Sequence, residues 1–157
     1  MTRQTTRRQL MQHGLGLGLG LGACLWVRQA HATPAEMQEA MRTFAQGAAL
    51  QIGRVQLEIA ELIDNGNTVP VTIRVQSPMT ALDHVRAIAL FSEKNPQSQA
   101  FEARLTPLSG RAQVSTRIRL ANSQTLVALA RMSDGSCWMH RVQVIVTIAA
   151  CIEDDDV

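Results

Sequence analysis

The sequence predicts a small all-β domain, a sandwich of two sheets, behind an N-terminal export segment. Apolar and polar residues alternate with a period of two in several short runs, which is typical of half-buried strands. Turn residues such as Asn95-Pro96 and Asp134-Gly135 interrupt these runs, and no helical pattern lies between them. These observations favour about seven strands in two packed sheets, immunoglobulin-like in architecture only, over any α/β arrangement.

One helix is predicted ahead of the strands. Pro34 suits a helix start and the residues after it are rich in Ala, Met, Glu and Gln, so a helix is predicted over residues 34–50, ended by Gly53. The strands are predicted at residues 55–59, 69–76, 85–91, 101–106, 112–120, 125–132 and 138–149. An Asn65-Gly66 turn joins the first two runs, and Asn-Gly between alternating runs predicts a hairpin.

The first 32 residues have the organisation of an export signal. The arginine pair Arg7 and Arg8 precedes a middle segment of alternating Gly and Leu, and the small-residue site Ala30-His31-Ala32 follows it. This pattern is typical of a twin-arginine signal peptide that is cleaved after Ala32. The sequence therefore predicts export to the periplasm, with no membrane segment left after cleavage.

Two alternatives would keep this segment attached. The apolar residues 10–27 approach the length of a membrane span, although five glycines weaken a helix there. Leu21-Gly22-Ala23-Cys24 resembles a lipobox, which would place a lipid on Cys24. The apolar residues that follow Cys24 are unlike the polar tether of a lipoprotein, so cleavage after Ala32 is the favoured interpretation.

Charge and composition exclude several function classes. The precursor has 15 basic and 13 acidic residues, but the predicted signal holds four arginines and no acid, so the mature chain carries a net charge of −2. No cluster of Lys or Arg in the body predicts a nucleic-acid surface. Tyr is absent and Phe and Trp are few, so the core has to be aliphatic. About 125 mature residues correspond to one domain.

Few residues of the mature chain are suited to catalysis. His84 and His140 have no carboxylate or Cys at ligand spacing, so no metal site is predicted, and the strand parity of His140 favours a packed or edge position. The motifs G-x-S-x-G, H-E-x-x-H and a glycine-rich phosphate loop are absent. Without C-x-x-C, a thiol-disulfide oxidoreductase is set aside as well. Neither an enzyme nor a cofactor is predicted.

Two cysteines, Cys137 and Cys151, remain after cleavage. A disulfide between them suits an oxidising compartment. On one strand, however, 14 residues at about 3.3 Å each place them about 46 Å apart, and a bridge needs about 7 Å or less. A disulfide between the two cysteines is possible only if the chain folds back after Ile148. Cys137 is otherwise interpreted as a small, partly buried hydrophobe, and Cys151 as an accessible thiol near the end of the sequence.

Five blocks of the mature chain form a recognisable series. They are Asn65-Gly66-Asn67-Thr68-Val69-Pro70-Val71-Thr72, Ser77-Pro78-Met79-Thr80, Phe91-Ser92-Glu93-Lys94-Asn95-Pro96, Val114-Ser115-Thr116-Arg117-Ile118-Arg119-Leu120 and Met132-Ser133-Asp134-Gly135-Ser136. In their order and spacing these blocks resemble the SoxY family, the sulfur-carrier subunits of thiosulfate oxidation. With the export signal and the late Cys, the resemblance covers essentially the whole precursor.

The resemblance implies a covalent carrier that partner enzymes act on, and not an enzyme. In this family the subunit pairs with a SoxZ subunit in the periplasm and holds the sulfur substrate on a C-terminal Cys, a role that falls by position on Cys151. A heme c enzyme conjugates thiosulfate to that Cys, a hydrolase releases sulfate, and a molybdenum-containing dehydrogenase oxidises the remaining sulfane sulfur. A thiol suits this role because S–S bonds exchange readily and sulfur is oxidised stepwise without a cofactor.

The chain thus divides into a signal at residues 1–32, a SoxY-like sandwich with its helix at 33–148, and an arm at 149–157. The arm departs from the Gly-Gly-Cys-Gly-Gly pattern of the family: two Ala residues precede Cys151, and Ile152 and four carboxylates follow it. Ala restricts the backbone more than Gly does. The carboxylates are expected to raise the pKa of the Cys151 thiol above its ordinary value of about 8.5.

This departure leaves a second hypothesis open. A SoxY-like paralogue without carrier chemistry, acting as a binding or scaffold subunit, is the alternative to a working carrier. The acidic end is either a solubilising terminus or a docking tag for a basic partner surface.

Overall fold

Helix α1 opens the part of the chain that this computed structural model describes, residues 33–148, and it spans Pro34–Ala45. Thr33 caps it with a reciprocal pair of hydrogen bonds: the Glu36 amide donates to the Thr33 hydroxyl, and the Thr33 amide donates to the Glu36 carboxylate. Met37, Met41 and Phe44 recur at helical spacing and are buried. The helix therefore has one apolar face for packing.

The helix is shorter than the sequence predicts. It ends at Ala45, and not near Leu50, because Gln46 and Gly47 both adopt left-handed backbone angles, with φ of 53° and 80°. Left-handed residues at this position end a helix and let its last carbonyls accept hydrogen bonds from the following amides. Gly53, the predicted stop, instead lies in the turn between the first two strands.

Nine strands follow within the described residues. They are β1 Leu50–Ile52, β2 Val55–Glu58, β3 Leu62–Asn65, β4 Val69–Val75, β5 Val85–Ser92, β6 Gln99–Arg104, β7 Gln113–Ile118, β8 Gln124–Met132 and β9 Cys137–Ile148, with a 3-10 turn at Pro107–Ser109. All seven predicted strands are present. The sequence pattern does not predict β1, which has only three residues, or β3, whose residues Leu62-Ile63-Asp64-Asn65 do not alternate between apolar and polar.

Strand β9 organises the larger sheet, whose order is β1-β9-β8-β5-β6. One edge of β9 pairs antiparallel with β8, and the other edge pairs in parallel with β1 near its start and with β3 near its end. The smaller sheet is antiparallel, in the order β2-β4-β7. The predicted two-sheet sandwich behind an N-terminal helix is confirmed.

The predicted pairing of the runs at residues 55–59 and 69–76 is confirmed by the antiparallel pair β2 and β4, but Asn65-Gly66 is not a tight hairpin turn between them. Strands β3 and β4, which flank this turn, belong to different sheets, although β2 and β4 are antiparallel neighbours. The turn is therefore a corner that carries the chain from one sheet to the other. The Asn67 amide donates to the Asn65 side chain at 2.9 Å, and the Leu120 amide donates to the Gly66 carbonyl at 2.9 Å, which brings the corner against the end of β7.

The protein has a core between the sheets and a second one under helix α1. The first is aliphatic, as predicted, and its fully buried members include Ile73, Val85, Ile88, Leu90, Leu126 and Val144. The second joins α1 to the outer face of the larger sheet, where Phe44 meets Phe91 edge-on at 5.9 Å between ring centroids. Strands β5 and β8 are thus buried on both faces, which explains their nearly continuous apolar sequences. Between residues 33 and 148, no helix is long and apolar enough to cross a membrane.

The left-handed helix end yields a test. Gln46→Gly is expected to raise the free energy of unfolding by about 0.5–1 kcal/mol, because a left-handed backbone strains a residue with a Cβ and not glycine. Gln38→Gly, at an exposed position inside the same helix, is the matched control and should lower it by about 0.5–1 kcal/mol. Urea denaturation measures both values, and equal destabilisation by the two changes would contradict this helix end.

Candidate functional site

Strand β9 carries the chain towards the predicted attachment residue. It ends at Ile148, three residues before Cys151. Cys151 lies outside the described residues, as do Arg7 and Arg8 of the predicted signal. The structure therefore describes the anchor from which the arm leaves, and the site is built from that anchor.

Strand β3 fixes one edge of β9 near its end. In the parallel register Leu62 lies opposite Ile145, Ile63 opposite Val146 and Asn65 opposite Ile148. The Ile145 amide donates to the Glu61 carbonyl at 2.7 Å, and the Thr147 hydroxyl donates to the Asp64 carbonyl at 2.9 Å. A side chain on the exposed face of β9 thus ties the strand to its neighbour immediately before the arm.

Ser123, which precedes β8, fixes the other edge. Its hydroxyl accepts a hydrogen bond from the Val146 amide at 2.9 Å and donates to the Val146 carbonyl at 3.4 Å. The side chains of Val144 and Val146 are buried in the core between the sheets. Hydrogen bonds on both edges therefore hold β9 up to Thr147, and the arm leaves from a fixed point four residues before the thiol.

Asn95 holds the loops around this end of the sandwich. Its side-chain oxygen accepts hydrogen bonds from the Ala121 amide and from the Gln124 side chain, both at 3.0 Å, and its side-chain nitrogen donates to the Arg119 carbonyl at 2.8 Å. Buried Gln124 in turn accepts from the Lys94 amide at 2.8 Å. Sequence reasoning treats Asn95 only as a strand break, because its partners lie 24 to 29 positions away.

Cys137 lies at the opposite end of β9 and is completely buried. It belongs to the core under helix α1, together with Phe44 and Leu129. Burial raises the pKa of the Cys137 thiol to about 11, although the nearby Arg131 guanidinium lowers it to a smaller extent. The interpretation of Cys137 as a small hydrophobe is confirmed, and this thiol is protonated and inaccessible at neutral pH.

A disulfide between Cys137 and Cys151 does not fit this fold. Strand β9 is continuous over 12 residues, so the Cα atoms of Cys137 and Ile148 are about 30–36 Å apart. Three further residues span at most about 11 Å, whereas a bridge needs Cα atoms within about 7 Å. Folding back after Ile148 cannot close the remaining distance within one chain.

Both histidines of the described residues support the fold. His140 accepts a hydrogen bond from the Leu57 amide at its Nδ1 atom, 3.0 Å away, which links β9 of the larger sheet to β2 of the smaller sheet. This is the packed position that its strand parity predicts. The Nδ1 atom of His84 lies 3.1 Å from the Thr80 carbonyl in the loop before β5. No group of three or more His, Cys, Asp or Glu residues between residues 33 and 148 is placed to hold a metal ion.

Comparison with known families decides the family of this chain. The family model described as "Sulfur oxidation protein SoxY" matches residues 40–151, which is most of the chain. The chain belongs to the SoxY family. The match takes in all nine strands of the described residues and has Cys151 as its last residue, so the acidic residues of the arm lie beyond it. The resemblance that the sequence blocks indicate is confirmed.

Solved structures show how widely this fold is shared. The sulfur carrier protein SoxY from Chlorobium limicola f thiosulfatophilum is 23% identical, with a TM-score of 0.62 over 73% of this chain and 98% of that chain. A superoxide reductase (neelaredoxin) from Ignicoccus hospitalis is 18% identical, with a TM-score of 0.55 over 73% and 94%. A putative superoxide reductase from Thermotoga maritima is 19% identical, with a TM-score of 0.52 over 66% and 89%.

These structural likenesses show a common fold and carry no activity to this chain, because all three identities are below 25%. No curated protein matches the chain significantly. The family assignment therefore depends on the family model.

Because Cys137 is buried, the free energy of unfolding is expected to change with pH in the alkaline range. Its folded pKa of about 11 exceeds the ordinary value of a thiol, so the folded state holds this proton more tightly than the unfolded state. The stabilisation is complete below about pH 9 and is lost as the pH rises towards 11. The free energy of unfolding is expected to fall by about 2 kcal/mol between pH 8 and 10.5.

Tyr is absent and Lys94 is the one lysine, so a variant at Lys94 serves as the control. Urea denaturation at the two pH values is the measurement. Cys137→Ala should remove most of the pH dependence, while Lys94→Gln should leave it in place. A Cys137→Ala variant with an undiminished fall in stability would contradict the raised pKa.

Proposed function

We propose that this chain is a periplasmic sulfur carrier of thiosulfate oxidation, in which Cys151 holds the sulfur covalently. The observation that carries the proposal is the family match, which runs to Cys151 as its last residue. The similar structure from Chlorobium limicola f thiosulfatophilum is itself described as a sulfur carrier protein. The anchored end of β9 supports the same role.

A carrier needs a thiol that extends from a fixed body. Hydrogen bonds on both edges hold β9 up to Thr147, and the three residues from Ile148 to Cys151 span at most about 11 Å. The other mature cysteine, Cys137, is buried and has a raised pKa. Sulfur chemistry is thus directed to a single position, because a thiol reacts as the exposed thiolate.

The proposed chemistry needs only the thiol from this chain. Joining the Cys151 sulfur to the outer sulfur of thiosulfate forms an S–S bond, releases the thiol proton and removes two electrons, which the heme c partner accepts. Hydrolysis of the terminal sulfonate then releases sulfate and leaves one sulfane sulfur on Cys151. The sulfane dehydrogenase oxidises that sulfur while the carrier's own C–S bond stays intact.

The outer face of the larger sheet offers a surface for the proposed SoxZ-like subunit. Helix α1 covers this face near the start of β9, where Cys137 belongs to the core under the helix. Near the end of β9, in contrast, two large apolar side chains are exposed. Leu62 is 62% exposed and Ile145 is 57% exposed, and they lie opposite each other on β3 and β9. Paired apolar side chains on an open sheet face are suited to a protein contact close to the arm.

Mass spectrometry tests the carrier role. Protein isolated from cells that are oxidising thiosulfate should carry sulfur adducts on Cys151, and Cys151→Ser should carry none and should abolish growth on thiosulfate. Cys137→Ala, the control, should keep both adduct and growth, because this thiol is buried. If Cys151→Ser supports thiosulfate oxidation as well as the wild type, the carrier proposal fails and the scaffold alternative replaces it.

Export through the twin-arginine pathway is the second part of the proposal. Replacing Arg7 and Arg8 together with Lys should leave most of the precursor in the cytoplasm, while Arg3→Lys, the control outside the pair, should not. Fractionation followed by N-terminal sequencing should give a periplasmic chain that begins at Thr33. A retained N-terminus or a lipid on Cys24 would contradict cleavage after Ala32.

A further inference from the structure

The acidic end of the arm is opposite in charge to the domain that precedes it. Residues 33–148 carry 11 basic and 9 acidic side chains, and residues 153–156 are four consecutive carboxylates. Within the described residues four arginines form ion pairs with acids, namely Arg42, Arg54, Arg74 and Arg104. Arg117 and Arg119 are exposed and form no ion pair with any residue between 33 and 148. These two cations are therefore available to an anionic ligand.

Both arginines border one groove. The groove lies between the end of β7 and the loop from β5 to β6, and Asn95, Phe101 and Thr116 line it together with Arg117 and Arg119. Strands β6 and β7 are the outermost strands of their sheets at this side of the sandwich. The groove thus combines a half-buried aromatic ring, exposed polar groups and two guanidinium groups, which suits an extended acidic segment.

The groove is close to the point from which the arm leaves. Ile148 is in register with Asn65, and the following Gly66 accepts the Leu120 amide. Arg119 precedes Leu120 in the chain. Following this path of neighbouring residues places the Cα atom of Arg119 within about 18 Å of that of Ile148.

The arm is long enough to reach this groove. The first of the four carboxylates is five positions after Ile148 in the sequence, and the last is eight positions after it. An extended chain spans up to about 18 Å over five residues and about 28 Å over eight. The arginine side chains add to this reach, so contact requires no movement of the sandwich.

We propose that residues 153–156 dock in cis on the groove bearing Arg117 and Arg119, which holds the arm at both ends with Cys151 between them. The short tether raises the local concentration of the acidic segment to the millimolar range. Because exposed charges are screened beyond about 8 Å at physiological ionic strength, the docked state is reversible and sensitive to salt. The consequence for sulfur transfer rests on the proposed function: the segment has to leave the groove before Cys151 extends fully into a partner enzyme.

Disulfide trapping tests the docking. In the full chain with Cys24→Ser and Cys151→Ser, Thr116→Cys places a thiol in the groove and Val157→Cys places one after the carboxylates. The rate at which they form an intramolecular disulfide under mild oxidation is followed by mass spectrometry. Replacing all four carboxylates by their amides should slow the bond about threefold or more, because the tether alone then supplies the local concentration.

The direction of this change distinguishes docking from a direct effect of the carboxylates on the reactivity of the neighbouring thiol. Carboxylates beside a thiol disfavour its thiolate, so in an undocked arm their removal would speed the bond. Arg117→Gln with Arg119→Gln should also slow it, while the control pair Arg86→Gln and Arg111→Gln, also exposed but at the other end of the sandwich, should not. In about 1 M salt, where screening acts within about 3 Å, these differences should disappear.

Two outcomes overturn the proposal. An unchanged or faster bond after removal of the carboxylates shows that the segment does not dock, and disulfide-linked dimers in dilute protein show that it docks on a second copy. Because these chains lack Cys151, neither outcome bears on sulfur attachment. Failure of docking is therefore distinguishable from failure of the carrier role.

Discussion

The structure depends on the hydrogen bonding of β9 along both of its edges. Strand β8 covers one edge, and β1 and β3 divide the other between them. A terminal strand with an open edge could fray or pair with another molecule. Here the backbone is held to within four residues of Cys151, so the position from which the arm starts is set by the sheet.

The same strand separates the two cysteines that follow residue 32. Cys137 begins β9 under helix α1, where burial raises its pKa and keeps it neutral. Cys151 follows the last residue of β9 by three positions in the sequence. The length of an extended 12-residue strand keeps them apart. The fold thus retains Cys137 and Cys151 without joining them in an intramolecular disulfide.

Much of the sandwich could be predicted from the sequence because its signals are local. The sequence pattern predicts seven of the nine described strands, and the parity of β9 correctly places Val144 and Val146 in the core. The errors have non-local causes. Strand β3 exists because it pairs in parallel with β9, about 80 residues later, and this pairing turns the Asn65-Gly66 hairpin into a corner. The helix end depends on Gln46, which adopts an angle that its residue type does not favour.

The candidate site, too, could be predicted only in part from the sequence. Cys151 could be selected from its position and from family resemblance, both of which are readable in the sequence. Its anchor could not, because Thr147 and Ser123 have ordinary residue types and acquire their roles from partners that the fold brings to them. The Asn95 cluster is a similar case, since a polar residue in a turn gives no sign of which distant amides it will bind.

The location of the acidic residues matters for how the arm functions. They lie beyond the family match, whereas Cys151 lies within it. Charges at this distance can hold the arm against the sandwich without occupying the position next to the thiol. A partner enzyme with a cationic entrance would then compete with Arg117 and Arg119 for the same carboxylates. Binding of the partner and release of the arm would become one exchange of ion pairs, and access to the thiol would depend on the partner's charge.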